Sequence, residues 1–246
     1  MTSEDGAGRE RDGATPGGRR AERLRRRWDR EAAGYDRAFA AAERRMFPGL
    51  RQHVCALAEG RTLEVAIGTG LNLEHYPAGV TGGATDGGAG SAAPGGLVGV
   101  DSSAGMLDVA RRRADRLGLG VDLRVGDAQD LDLPDASFDT VVCTFSLCGI
   151  GDDRAALGEM TRVLRPGGLL LLADHVASTV WPLRALQGLA DLVSVPLAGE
   201  HFGRRPMRWV LEQGLAVEEH GRTRAGVVEH VAARVPGATR IGTVSR

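Results

Sequence analysis

Two glycines, Gly68 and Gly70, follow a short apolar run at residues 63–67. An apolar run that ends in glycines predicts a strand followed by a tight turn. Because glycine has no side chain, such a turn lets a ligand approach the backbone closely. Glu64 lies just before the turn, where its negative charge would repel a pyrophosphate but suits a cationic amino-acid group. The segment therefore predicts a small-molecule site at the end of the first strand.

Two carboxylates follow the next two predicted strands. Asp101 ends the run 97–101, where it can accept hydrogen bonds from both hydroxyls of a ribose, and Asp127 follows 121–125, where it can meet an adenine amino group. In doubly wound sheets, ligands bind beyond the carboxyl ends of the strands. With the glycine turn, these residues predict a nucleoside pocket. Alternatively, Asp101 caps the following helix and Asp127 is a plain turn residue.

The glycine spacing restricts which nucleoside cofactor fits. A dinucleotide site favours Gly-x-Gly-x-x-Gly, which places the pyrophosphate at a helix N-terminus, and here the third position is Leu73. The Gly-Lys-Ser/Thr of a nucleoside-triphosphate loop is also missing. A dinucleotide-dependent oxidoreductase is therefore disfavoured. S-adenosylmethionine, which carries a sulfonium and an ammonium group, suits the acidic residue before the turn.

The elements that must position these residues follow from apolar periodicity. Strand-like runs alternate with amphipathic helical stripes, which predicts helices on both faces of a parallel sheet. After His175 this alternation ends, and two late runs predict an antiparallel hairpin. We therefore expect an α/β fold with a doubly wound, mostly parallel seven-stranded sheet and a C-terminal antiparallel edge hairpin. The predicted strands include 63–67, 97–101, 121–125, 138–145, 169–173, 215–220 and 227–233.

Helix boundaries are predicted from caps and breakers. A helical period over 32–57 is split by Pro48, and a stripe over 106–117 leaves Arg111 to Arg113 largely outside it. Asp152 and Asp153 are both candidate N-caps of a helix at 156–164. A turn is expected at 166–168, and a further helix at 205–213.

Composition excludes several classes of protein. The chain has 246 residues and a formal net charge of −1, so it lacks a global field that would attract nucleic acid. Its three cysteines form neither a disulfide framework nor a Cys-x-x-Cys pair, and we expect no metal. We find no secretory signal and no apolar run near the ~18 residues of a membrane span. We therefore expect a cytoplasmic protein.

Four segments together resemble a known family. They are 63–70, 99–107, 126–141 and 162–168, and their order and spacing are similar to those of class I S-adenosylmethionine-dependent methyltransferases with a type-11 methyltransferase domain, the group that contains the ubiquinone/menaquinone-biosynthesis enzymes. The resemblance covers about residues 30–235. It implies a Rossmann-like methyltransferase fold and S-adenosylmethionine as cofactor. One departure is Ala66, which stands where the family usually has glycine and where a methyl group tightens the turn.

The resemblance implies roles for individual residues. The cofactor's amino-acid part would lie against the glycine turn, its ribose on Asp101 and its adenine between Met106 and Asp127. Alternatively, Glu64 is only a helix-terminus partner, Met106 is core, and the polar turn residues are simple turn formers. The implied cofactor-binding residues are Glu64, Gly68, Thr69, Gly70, Asn72, Asp101, Ser102, Met106, Asp127, Ala128 and Phe145.

Methyl transfer is an in-line displacement, in which alignment and water exclusion supply most of the acceleration. A base is needed only if the acceptor must lose a proton. His175 follows a predicted strand and is the candidate catalytic base; alternatively it anchors a loop. Tyr35 either closes over the cofactor or packs, and Cys148 is either reactive or a buried inert thiol.

The sequence predicts one methyltransferase domain at 23–236 between a disordered tail at 1–22 and a C-terminal tail at 237–246. Inside the domain we expect a flexible Gly-rich insertion at 79–96 and an acceptor lid at 176–204. The apolar stripe at 181–197 predicts a lid, a membrane-surface helix, a dimer contact or an ordinary core helix. The Arg-rich segment 23–30 is either a surface for acidic lipid or nucleic acid or a solvated helix start.

The predicted function is methyl transfer from S-adenosylmethionine to a small, apolar acceptor, either a free small molecule or a lipid. Two alternatives are a phospholipid N-methyltransferase at the membrane surface and a cofactor-binding protein without transferase activity. We expect no nucleic-acid partner and leave peripheral membrane contact open. The acceptor atom and the oligomeric state do not follow from the sequence.

Overall fold

The computed structural model describes residues 16–81, 96–223 and 225–237. Within this part of the chain, seven strands form one sheet in the order β3-β2-β1-β4-β5-β7-β6. The first five strands pair in parallel, and β7 is antiparallel to both β5 and β6. The strands are β1 Arg61–Val65, β2 Gly96–Asp101, β3 Val121–Val125, β4 Phe138–Thr144, β5 Leu164–His175, β6 Ala216–Thr223 and β7 Val228–Arg234. The predicted doubly wound sheet with an antiparallel edge hairpin is confirmed.

The helices occupy both faces of the sheet. Consecutive side chains of β5 point to opposite faces, so Leu170 packs with α5 and α7 while Leu171 packs with α2 and α4. Burying a leucine contributes roughly 1.5–3 kcal/mol, and a run buried on both sides therefore stabilises a central strand strongly. The helices are α1 Pro16–Met46, α2 Leu50–Ala56, α3 Ala78–Thr81, α4 Ala104–Leu117, α5 Asp153–Val163, α6 Trp181–Ala198 and α7 Pro206–Glu212.

The predicted C-terminal boundary of the tail at 1–22 is wrong, because α1 begins at Pro16. Residues 1–15 lie outside the described residues. Proline suits the first turn of a helix, and the pair Glu22–Arg26, four residues apart, supports the next turns. Arg20 and Arg23 donate to the carbonyls of Val195 and Pro196 at 2.7 and 3.1 Å. These contacts to α6 hold a segment that composition alone predicted to be disordered.

Two other segments fall partly outside the described residues. Of the predicted insertion at 79–96, residues 79–81 belong to α3 and Gly96 begins β2, and 82–95 are not described. Of the predicted C-terminal tail, only Gly237 is described. As predicted, Pro48 separates α1 from α2.

Four local predictions need correction. The predicted turn at 166–168 is a bulge inside β5. The register between β4 and β5 shifts there, and Gly167 adopts a positive φ of 82°. Leu117, at the end of the predicted stripe, is exposed. Arg113 is buried rather than outside that stripe, because it pairs with Asp36 of α1. Asp152, and not Asp153, caps α5, accepting from two backbone N–H groups.

Candidate active site

The strands β1, β2, β4 and β5 all end at one edge of the sheet, where a cleft of about 1920 Å³ opens. It lies at the switch point between β1 and β4, where the strand order reverses. Helices α1 and α6 contribute to its outer wall. Of the residues predicted to bind the cofactor, the cleft is lined by Glu64, Gly68, Thr69, Asp101, Ser102, Met106, Asp127, Ala128 and Phe145.

Gly70 and Asn72, also predicted to bind the cofactor, lie behind the wall of this cleft. Gly70 has a φ of 76°, and a side chain there would collide with Leu73. Its role is to let Leu73 pack under the turn. Asn72 is fully buried and makes its hydrogen bonds inside the protein, so it is neither a simple turn former nor a wall residue.

The turn after β1 has three residues in the left-handed region. Gly68 has a φ of 57°, and a Cβ built on it would meet nothing within 4 Å, because it faces the open cleft. Its N–H donates to Asp101 at 2.8 Å. Ala66 has a φ of 54°, a conformation that favours glycine and strains alanine. The tight turn that we predicted at Ala66 therefore arises from its backbone conformation.

Glu64 lies at the floor of the cleft and is almost fully buried. Its two carboxylate oxygens accept hydrogen bonds from Asn72 Nδ2 and the Tyr76 hydroxyl, each at 2.8 Å. Burial raises the pKa of Glu64 to about 7, and the two hydrogen bonds oppose that rise. Glu64 is thus a buried carboxylate at a ligand site, not a helix-terminus partner.

Arg51 of α2 joins this polar cluster, which sequence reasoning missed. Its guanidinium donates to Asn72 Oδ1 at 3.1 Å, to Thr144 Oγ1 at 2.9 Å and to Glu43 at 2.6 Å. It also lies 4.6 Å from the centre of the Phe145 ring. Arg51 therefore connects the glycine turn to the end of β4. Its distance in sequence from both gives no signal of this role.

Asp101 ends β2 and faces the cleft with both oxygens hydrogen-bonded to the backbone. Oδ2 accepts from Gly68 N and Oδ1 from Ser103 N, each at 2.8 Å. Burial raises its pKa, while these backbone hydrogen bonds oppose the rise. The helix N-cap is Ser103, whose side chain accepts from Met106 N. The alternative that Asp101 caps α4 is therefore wrong, and Asp101 instead fixes two loops beside the cleft.

Asp127 and Ala128 line the cleft beyond β3. Asp127 accepts from the backbone and side chain of Gln129, both at 2.9 Å, and forms an isolated bridge with Asp130. These contacts fix a turn and leave the carboxylate at the wall. Met106 is buried and also lines the cleft, so it is both a core residue and a wall residue.

Aromatic rings form the wall at the end of β4. The Phe145 ring stacks on Phe47 at 4.3 Å, and the His175 ring lies 5.5 and 5.7 Å from the two. Phe145 has a positive φ of 52°, which is strained for a bulky side chain. Backbone strain that the surroundings enforce is common at functional sites, and here it points Phe145 into the cleft.

Asp174, which sequence reasoning did not select, holds the loop after β4. Its buried carboxylate accepts from the backbone N–H groups of Ser146, Cys148 and His175 at 2.9, 3.3 and 2.6 Å. Its Oδ1 lies 3.9 Å from His175 Nδ1. Burial raises the pKa of the Cys148 thiol well above its usual value, which fits the interpretation of a buried inert thiol.

Helix α1 covers the cleft, and two of its carboxylates fasten it there. Asp29 accepts from Ser103 Oγ at 2.6 Å and from Gly105 N at 3.0 Å. Asp36 accepts from Thr69 Oγ1 at 2.7 Å, so Thr69 is not a simple turn former. Tyr35 lines the cleft and also stacks on Phe39, with 4.4 Å between the ring centres. Its position therefore combines the two predicted roles, which were to cover the cofactor and to pack.

Sequence similarity agrees with this geometry. A family described as a methyltransferase domain matches residues 63–172. The phosphatidylethanolamine N-methyltransferase of Cereibacter sphaeroides is 34% identical over 164 residues, which cover 66% of this chain and 71% of that protein. The demethylmenaquinone methyltransferase of Clavibacter sepedonicus is 30% identical over 198 residues, which cover 71% of this chain and 73% of that protein.

The chain belongs to the class I S-adenosylmethionine-dependent methyltransferases. The methyltransferase from Renibacterium salmoninarum that acts on demethylmenaquinone is matched over 59% of its own length. Among solved structures, a methyltransferase from Thermotoga maritima aligns with a TM-score of 0.58 and 22% identity, covering 84% of this chain and 97% of that one. The similarity to the Thermotoga maritima structure shows a shared fold.

The residues of this methyltransferase fit S-adenosylmethionine. The open space at Gly68 is a cradle that a side chain would fill. A carboxylate at each end of that cradle, the buried Glu64 and the half-buried Asp101, suits an ammonium group and a ribose. Among the described residues, we find no helix long and apolar enough to cross a membrane.

Proposed function

We propose that this methyltransferase acts on a small, apolar ring of the quinol type that is drawn from a membrane surface. The observation that carries the proposal is the size and lining of the cleft. Pockets for one drug-sized ligand measure about 300–1,000 Å³, and this cleft of about 1920 Å³ has room for a cofactor and a second molecule. Beyond Asp101 its wall becomes aromatic and aliphatic, with Tyr35, Phe145 and Leu183.

The cofactor, when bound, supplies an electrophilic methyl group on a sulfonium. Glu64 and Asp101 would hold it beside the glycine turn, and α1, which covers the cleft, would exclude water. Phe145 lines the same cleft, where its ring would align the acceptor ring. Alignment and water exclusion are the main sources of acceleration in a displacement of this kind.

His175 is suited to take a proton from a phenolic acceptor. It lines the cleft beside Phe145, and its ring nitrogen Nδ1 lies 3.9 Å from the buried Asp174 carboxylate. A carboxylate at that distance stabilises a histidinium as it forms. The role of loop anchor falls instead to Asp174, whose carboxylate makes the three backbone hydrogen bonds.

Helix α6 supplies the argument for a membrane surface. Its polar residues face the protein: Gln187 bonds the backbone of Val176 and Ser178, and Asp191 accepts from Phe202 N at 2.7 Å. Most of its large apolar residues are exposed, and no residue of α6 is buried, so the interpretation as an ordinary core helix is wrong. The exposed set is Trp181, Leu186, Leu189, Leu192, Val193 and Leu197.

A helix with this outward apolar face suits the boundary of a lipid bilayer. The charge of the neighbouring segment also favours an anionic membrane surface, because arginines outnumber acidic residues in the first half of α1. This half of α1 is hydrogen-bonded to the end of α6 through Arg20 and Arg23. Each arginine near an anionic bilayer contributes about 1 kcal/mol. Leu183 and Gln187 of the same helix line the cleft, so a molecule held at this surface reaches the site directly.

The named relatives support a lipid acceptor. Phosphatidylethanolamine and demethylmenaquinone both carry long apolar chains, and they are the acceptors in the names of the relatives given above. The aromatic wall favours a ring, and the similarity to the Cereibacter sphaeroides protein favours a phospholipid amine as second candidate.

The acceptor is tested by incubating the enzyme with S-adenosylmethionine and vesicles that contain either a demethylmenaquinol or phosphatidylethanolamine. We expect a methylated quinol by mass spectrometry. A methylated amine instead would establish the second candidate. Cofactor binding without S-adenosylhomocysteine formation on any vesicle would contradict the transferase assignment. His175→Gln should lower kcat by about 10²–10⁴-fold, and His75→Gln, outside the cleft, serves as its control.

The membrane surface is tested with the double variant Leu186→Gln, Leu189→Gln. Both side chains are about 60% exposed (60% and 63%), so the fold should tolerate the change. We expect loss of co-sedimentation with anionic vesicles and loss of activity on vesicle-held acceptor, with cofactor affinity unchanged. Leu211→Gln, an equally exposed residue on α7, is the matched control. An unchanged pelleted fraction, or a change in oligomeric state instead, would contradict the proposal.

A further inference from the structure

Three side chains of types that can bind a metal meet on the side of the molecule where α2 contacts the edge hairpin. His53 lies on α2, Glu219 on β6 and His230 on β7. Glu219 Oε1 is 2.6 Å from His53 Nε2 and 3.2 Å from His230 Nε2, and the ligand atoms of all three lie within 4.8 Å of one another. None of the three belongs to the lining of the cleft.

The hairpin is shaped to place one of these rings. His230 pairs with Gly221 across the ladder, and a side chain at Gly221 would overlap the His230 imidazole. Because β6 has glycine at that register, the ring can lie across the strand and reach Glu219. The proximity of these residues therefore depends on a specific backbone feature and not only on long surface side chains.

We propose that His53, Glu219 and His230 bind a zinc ion. Two imidazole nitrogens and one carboxylate oxygen are a common zinc donor set, with bonds of about 2.0–2.2 Å. Tetrahedral geometry then puts ligand atoms ~3.3 Å apart, which small side-chain rotations reach from the present distances. His53 and Glu219 are partly exposed, with 49% and 39% of their side chains accessible, so water completes the coordination.

A bound ion would act on the active site through α2. Arg51, two residues before His53, bonds Thr144 and lies over Phe145. The metal joins α2 to a hairpin 166 residues away in sequence and so restrains the helix that carries Arg51. The cysteine-based expectation of no metal did not address this set, whose members come from three distant segments.

Zinc binding is tested on the full protein after chelator dialysis, by calorimetric titration with zinc chloride and by thermal unfolding. We expect about one equivalent bound and an unfolding temperature raised by on the order of 5–10 °C at zinc 100-fold above Kd. Substituting Co²⁺ should give the visible absorption of a tetrahedral ion. Magnesium, which prefers six oxygen ligands, should give none of these effects.

Matched variants locate the ion. His53→Gln and Glu219→Gln should each weaken zinc binding at least tenfold, whereas His220→Gln, a histidine of the same hairpin that bonds Glu229, should not. Cys148→Ser tests the second donor cluster among the described residues, which Cys148 forms with Asp174 and His175. Retained binding in the first two variants, loss in Cys148→Ser, or no stoichiometric binding at all would overturn the proposal. The outcome is independent of which acceptor the enzyme uses.

Discussion

The carboxylate of Asp36, on α1, accepts a hydrogen bond from the hydroxyl of Thr69, in the glycine turn, at 2.7 Å. The same carboxylate pairs with the buried Arg113 of α4. One side chain thus links the helix that covers the cleft both to the turn beneath it and to the neighbouring helix. Because α1 forms part of the wall over the cleft, this link holds that wall in place.

We expect Asp36→Asn to weaken S-adenosylmethionine binding by about 3- to 10-fold, because a partly exposed charged hydrogen bond contributes modestly and its loss favours the open cleft. Stopped-flow measurement of cofactor dissociation should show the change as a faster off-rate. Asp108→Asn, which removes an exposed carboxylate of α4 paired with Arg111, is the control. An unchanged off-rate in Asp36→Asn would contradict the role of α1 as a cover.

Glu64 predicts a pH dependence of cofactor affinity. Burial raises its pKa to about 7, so the carboxyl is largely protonated below that pH in the free protein. A cationic ammonium group favours the ionised form. We therefore expect affinity to increase as pH rises through about 7 and to fall by at most tenfold per pH unit below it. Calorimetry between pH 5.5 and 8 measures this slope.

The raised pKa of Glu64 also makes the free energy of folding depend on pH, with a sign opposite to that of the cofactor affinity. Because the folded-state pKa is raised above the ordinary glutamate value of 4.5, the native state binds more protons, and the associated stability is lost as pH rises from about 4.5 through 7. Glu64→Gln should remove both dependences, and the matched surface variant Glu74→Gln should keep them. A Glu64→Gln protein whose cofactor affinity still rises through pH 7 would show that another group titrates.

Ala66→Gly should stabilise the protein. Ala66 has a φ of 54°, where alanine is disfavoured by roughly 1–2 kcal/mol, partly offset by the greater backbone freedom of glycine in the unfolded chain. We expect a net gain of about 1 kcal/mol in the free energy of urea unfolding. Ala40→Gly, inside α1, should instead lose about 1 kcal/mol. A loss at both positions would mean that the Ala66 methyl group makes packing contacts that outweigh its strain.

The strands and the turn of this fold were predictable because their signals are local. The apolar run before Gly68, the acidic residue that ends β2 and the helical stripe of α4 each lie within a few residues, so periodicity and breakers locate them. Their meeting at one edge of the sheet follows from parallel strand order. This is why nine of the eleven predicted cofactor residues do line the cleft.

Residues that act through distant partners were not predictable. Arg51, Asp29 and Asp174 are defined by hydrogen bonds to segments far along the chain, and no sequence spacing reveals such partners. The orientation of α6 stayed open among four alternatives for a different reason. An apolar stripe is normally a buried face. In α6, however, Gln187 and Asp191 form hydrogen bonds with backbone groups on the inner side, so the apolar side faces outward.

The most direct test of the account is calorimetric titration of S-adenosylmethionine and S-adenosylhomocysteine into wild type, Asp101→Ala and Asp127→Ala. Asp132→Ala, an exposed carboxylate outside the cleft, is the control, and unfolding temperatures verify that each variant folds. We expect micromolar binding to wild type and the control, and binding at least tenfold weaker in the two cleft variants. Equal affinity in all four proteins, or no binding by folded wild type, would contradict the assignment of this cleft as the cofactor site.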